Sequence, residues 1–191
     1  MIRDINKIDD DIIRKKRIIG EILYSDPDII EVLANKDIDP TCPEEAMYVN
    51  IYPFIRVPGI QDVSKSYITY MLDDVDAGRV NATMKVQYLK VVIFVHKDLV
   101  ETNYGAERHD LLGYLIRDNF HMSNALGLNL KLISNKEGFT DTDYCTRTLY
   151  FEMTAPNSIK PYLTNQYERK SVIHRQDEIL QREQVGDIHG Q

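Results

Sequence analysis

The sequence predicts an α+β fold: a mostly antiparallel sheet of four to five strands, packed by an N-terminal helical pair and one central helix, with an extended C-terminal arm. Three observations predict it. Apolar residues recur at three-and-four spacing near the N-terminus and again in mid-chain. β-Branched and aromatic runs bounded by turn residues fill most of the remainder. The two kinds of segment do not alternate as a regular parallel array requires. The 191 residues suit one domain with an appendage, and 43% apolar content supplies a core that needs no disulfide staples.

Taken in order, residues 5–24 read as an amphipathic helix with Ile5, Ile8, Ile12, Ile19, Ile22 and Leu23 on one stripe. Acids lead and bases follow, which suits the helix dipole. Ser25-Asp26-Pro27-Asp28 then restarts the chain, with a capping side chain ahead of a first-turn proline. Ile29, Ile30, Val32 and Leu33 give the second helix its stripe. Met47–Val57 is strand-like, but Pro53 has no N–H to donate, so this strand belongs at an edge or is interrupted there. Tyr67–Val75 and Met84–Val95 read as neighbouring antiparallel strands joined by a long polar loop, Asp73–Ala82. Leu111, Leu112, Leu115, Ile116 and Phe120 mark a helix over about Gly105–Met122. Leu128–Ser134 and Tyr144–Thr154 close the β set, with Gly138 in the turn between them. The division is a domain over 1–155 and an arm over 156–191, where large apolar side chains are few and charges balance, so the arm orders on a partner or stays flexible.

The formal charge of −7, from 23 basic and 30 acidic residues, repels phosphate backbones and argues against non-specific nucleic-acid binding unless the positive charges cluster; no specific nucleic-acid recognition is expected either. No apolar run reaches the length of a bilayer span, and the acidic opening MIRDINKIDDD lacks the pattern of a secretory leader. Cys42 and Cys145 are too few for a disulfide framework, so a reducing site of synthesis is the simpler expectation.

Site chemistry leaves few marks. Asp73, Asp74, Asp76 and Gly78 invite a calcium loop, yet counting from Asp74 puts Lys85 where the bidentate glutamate belongs. A solvated hairpin tip, or an acidic contact for a basic partner, explains the cluster better. His96, His109, His121, His174 and His189 form no close metal-ligand spacing. His109 and Asp110 open a helix and read as first-turn residues; Cys145 in a strand reads as a small hydrophobe. No glycine-rich phosphate loop occurs. The expectation is a protein with no catalytic residue, cofactor or metal.

The order of features carries a resemblance. A helical pair meets at Asp26-Pro27-Asp28, a strand contains Tyr52-Pro53-Phe54 and Val57-Pro58-Gly59, a long-tipped hairpin follows, then the Tyr104-Gly105-x-x-Arg108 helix and a closing β-pair. This layout, over about residues 5–155, resembles the tail-terminator and neck (head–tail joining) proteins of tailed bacteriophages. The resemblance implies a structural virion protein that forms a hexameric ring at the head-proximal end of the tail. Such a ring ends the tail tube and joins it to neck or connector proteins, with the genome passing through. It implies assembly in the bacterial cytoplasm and no membrane. The contact candidates are Asp73, Asp74, Asp76, Arg79 and Asn81 on the hairpin and Arg169, Lys170 and Arg175 on the arm. Three other readings stay open. They are a head-completion or sheath-capping part, an enzyme assembled from scattered groups such as His96, His109 and Asp110, and a host adaptor whose arm folds on binding.

Overall fold

The computed structural model describes residues 11–36, 38–39, 41–59, 64–75, 84–126 and 129–156. Helix α1 (Asp11–Ser25) and helix α2 (Pro27–Leu33) meet at Asp26. Its carboxylate accepts from the Asp28 and Ile29 amides, a side-chain cap followed by proline at the first helical position. Beyond a single 3-10 turn at Pro43–Ala46 come β1 (Ile51–Tyr52), β2 (Ser66–Val75) and β3 (Met84–His96). Helix α3 (Arg108–Phe120), β4 (Lys131–Phe139) and β5 (Tyr144–Pro156) complete the order. Among the described residues no helix is long and apolar enough to cross a membrane.

The sheet runs β1-β2-β3-β5-β4. Every pairing is antiparallel except β1 with β2. Because β5 lies between β3 and β4 and opposes both, β3–α3–β4 is a split crossover whose two strands run the same way. Alternation sorts the side chains. Ile68, Tyr70 and Leu72 of β2, Leu89, Val91, Ile93 and Val95 of β3, and Leu149, Phe151 and Met153 of β5 face the helices. There they pack with Ile19 and Leu23 of α1, Ile29 and Leu33 of α2, and Leu112, Ile116 and Phe120 of α3. The reverse face carries a smaller cluster of Tyr52, Tyr67, Val92, Phe94 and Tyr144, against which Ile55 packs.

Three expectations are corrected. The strand predicted over Met47–Val57 shrinks to Ile51–Tyr52 and stops at Pro53, as a missing donor dictates. Of its remaining apolar residues, Ile55 packs on the reverse-face cluster and Met47 on the main core, while Tyr48, Val49, Phe54 and Val57 are exposed. Helix α3 starts at Arg108, after the left-handed Gly105 (φ 77°). The penultimate strand is Lys131–Phe139 and takes in Gly138, so the turn moves to Thr140–Asp143. Residues 5–10, the tip residues 76–83 and the arm residues 157–191 lie outside the described residues.

One glycine is fixed by packing. A Cβ at Gly20 in α1 would stand 2.9 Å from the Tyr70 hydroxyl, which donates to the Lys16 carbonyl at 2.8 Å, and 3.3 Å from Met47 Sδ. Tyr70 is fully buried and cannot swing aside. Alanine ordinarily gains about 1 kcal/mol over glycine within a helix, but here overpacking of about 1–3 kcal/mol opposes it. Gly20→Ala is therefore expected to lower the urea midpoint at unchanged slope. A raised midpoint would mean that the hydroxyl yields.

Candidate assembly surface

The β2–β3 hairpin is held at its root by a polar knot. Lys15 of α1 is a charged residue on a helix face that sequence periodicity reads as polar, yet it is only 3% exposed. Its ammonium donates to Asp11 Oδ2 at 2.8 Å and to Gln87 Oε1 of β3. The Gln87 amide nitrogen donates to Asp11 Oδ2 at 3.1 Å and to Asp74 Oδ1 of β2 at 2.6 Å. Lys85 closes the ring by donating to Asp74 Oδ2 at 2.6 Å. Burial opposes ionisation of Asp11, but the Lys15 ammonium, with Arg14 and Gln87, outweighs it and holds the carboxyl below its ordinary range. The knot fixes the hairpin's direction relative to α1, so a tip contact would begin from an ordered base.

Of the predicted contact residues, Asp73 and Asp74 fall in strand β2 rather than in the loop. Asp73 is exposed on the reverse face opposite Tyr88; Asp74 turns to the helix side, into the knot. Asp76, Arg79, Asn81, Arg169, Lys170 and Arg175 lie outside the described residues. The structure adds a feature the sequence did not point to. Some large exposed apolar side chains lie at the two ends of the strand order, while others, such as Val75, Tyr104, Tyr114 and Met122, lie elsewhere. Tyr48 (64% exposed) and Phe54 (47%) flank β1, and Ile133 (47%) and Phe139 (63%) lie on β4. At β4 a register shift between Leu132 and Ser134 accompanies Ile133. Tyr52 anchors the β1 group through edge-to-face contact with Tyr48 and Phe54.

The residues that carry the family resemblance are structural joints. Besides capping α2, Asp26 accepts from Asn119 of α3 at 2.6 Å through its second oxygen. Tyr104 donates to the Glu31 carboxylate. Arg108 donates to the Leu99 carbonyl at 2.6 Å and to the Val32 carbonyl at the end of α2. These bonds seat α3 on the helical pair and satisfy a helix end that would otherwise be left bare.

Residues 26–153, more than half of the chain, match the family model described as YomW. The chain belongs to the YomW family. That family is of the Bacillus phage type, which points to a phage origin for the chain. No curated protein matches it. The matched span opens at the α2 cap and closes within β5, so it takes in α2, the five strands and α3.

In this YomW member the histidines weighed for catalysis have different surroundings. His96 ends β3 beside Tyr144 and caps the next turn by accepting from the Asp98 amide at 3.4 Å. His109, in the first turn of α3, is 1% exposed. Its Nε2 lies 3.4 Å from Glu107 Oε2, 3.8 Å from Asp110 Oδ1 and 3.4 Å from Glu137 Oε1 of β4. Arg147 of β5 pairs with Asp110 at 2.7 Å and donates to Asn135 at 2.6 Å. Burial first, and the charges of Glu107 and Glu137 second, push the Cys145 thiol up, which keeps it protonated. Local spacing had marked His109 and Asp110, but Glu137 reaches them only through the β4 pairing and α3 packing.

Proposed function

We propose that this YomW protein is a structural subunit of a phage particle, forming a hexameric ring that ends the tail tube and joins it to the neck. One observation carries the ring reading: exposed apolar residues sit at the two opposite edges of a single sheet. A closed ring needs two different, mutually complementary faces on every subunit, because a head-to-tail contact repeats until rotation closes it. The β1 edge with Tyr48 and Phe54 and the β4 edge with Ile133 and Phe139 supply such a pair. Scattered exposed hydrophobes would need no explanation, but paired groups on opposite edges favour association. Membership of a phage-associated family supports the particle as the setting.

The test uses two edge variants, Phe54→Lys and Phe139→Lys, each at an exposed side chain where folding tolerates change. The full chain is expected to give a ring mass, alone or on addition of tail-tube protein. Either variant alone is expected to remain monomeric, since every interface loses one partner. An equal mixture of the two is expected to stop at dimers, because one intact β1 edge then meets one intact β4 edge. A monomer indifferent to the tube protein would overturn the proposal, as would rings unaffected by both substitutions.

A further inference from the structure

We infer that Glu107, His109 and Glu137 form a binding site for one divalent transition ion of the Zn²⁺ type, tying the N-terminus of α3 to the edge strand β4. The three donors come from three places: the residue ahead of α3, its first turn, and β4. Their ligand atoms all lie within 4.8 Å of one another. His109 Nε2 stands 3.4 Å from an oxygen of each glutamate. Bonds of about 2.0–2.2 Å in tetrahedral array put neighbouring ligand atoms about 3.3–3.5 Å apart, so little movement is needed.

A second observation is the state of the imidazole. The ring is buried, aimed by Nε2 between the two carboxylates, and its Nδ1 has no hydrogen-bond partner. Either neutral tautomer leaves Nδ1 unpaired, and the two differ in what Nε2 presents to the carboxylates. A proton on Nε2 serves one glutamate and leaves the Nδ1 lone pair bare; a proton on Nδ1 turns the Nε2 lone pair toward two anions. A positive charge at Nε2 relieves that opposition, whether a second ring proton or a metal ion, and the titration below separates the two. Charge points the same way. Arg147 is committed to Asp110 at 2.7 Å and to Asn135 at 2.6 Å. Its guanidinium reaches Glu137 only at 3.9 Å, a long contact that offsets little of the charge of the two glutamates. One imidazole with two carboxylates suits a borderline ion; Mg²⁺ and Ca²⁺ prefer oxygen alone. Glu107 and Glu137 are 58% and 61% exposed, which leaves the ion a path in and a position for water.

The experiment is a calorimetric titration of Zn²⁺ into the tag-free, chelator-treated full chain, with Mg²⁺ as control and Co²⁺ as a spectroscopic stand-in. The comparison is the double variant Glu107→Gln, Glu137→Gln, whose amides keep the shape and whose exposed positions keep the fold. Wild type is expected to bind one Zn²⁺, to gain thermal stability from it, and to show the visible bands of four-coordinate Co²⁺. The variant is expected to bind at least about tenfold more weakly and to lose those bands. Failure of the wild type to bind Zn²⁺ above the Mg²⁺ control would overturn the inference. So would equal binding by the variant, which would place the ion elsewhere on the chain. Neither outcome depends on ring formation.

Discussion

Phe151→Ala is expected to destabilise the fold by about 3–5 kcal/mol, the range for removing a buried phenylalanine from a core that cannot collapse around the void. Phe151 is fully buried on β5, registered between Leu89 of β3 and Leu132 of β4. Its ring meets Phe120 of α3 at 6.0 Å between centroids and 60° between planes. It therefore stands where the split crossover presses its helix onto the sheet, with rigid neighbours on every side. A loss of this size is a large fraction of the about 5–15 kcal/mol available to a domain. Phe151→Leu, which keeps most of the volume, is expected to cost less than half as much. Urea unfolding reads both. A loss below about 1 kcal/mol for the alanine variant would mean that α3 is not packed as described.

Lys15→Ala is expected to cost about 2–3 kcal/mol. Its removal leaves Gln87 Oε1 without its buried donor and Asp11 without its main counter-charge. Breaking a fully buried pair costs about 3–5 kcal/mol, but the Asp11 side chain is 34% exposed and water takes up part of the charge, so the lower figure applies. The pH dependence follows from the direction of the Asp11 shift. A carboxyl held below its ordinary value adds stability that is fully present above about pH 4 and lost as pH falls through the folded value. The gap between wild type and Lys15→Ala is thus expected to narrow on acidification below about pH 4. A gap that stays constant down to acid unfolding would assign the loss to the lysine stem rather than to its ion pair.

What could be read from the sequence follows from range. The α1–α2 joint was legible because Asp26 and Pro27 act within one turn of the chain. The long strands β2, β3 and β5 were legible from sustained apolar and β-branched content. Gly138 misled as a turn signal because its role is a cross-strand one: a Cβ there would stand 3.0 Å from Thr146 Oγ1. Lys15 was hidden because a charge on a helix reads as solvent-facing, while its partner Gln87 lies in β3, 72 residues further along the chain. The paired edge groups were hidden too, since only the strand order reveals that β1 and β4 end the sheet.

The measurement that reaches furthest is an electron cryo-microscopy map of the assembled phage particle at a resolution that distinguishes this chain. The expected result is a closed ring of copies between tail tube and neck, with the Phe54 edge of each subunit against the Phe139 edge of the next. Absence of the chain from the particle, or its presence as a single copy touching no other of its kind, would contradict that placement.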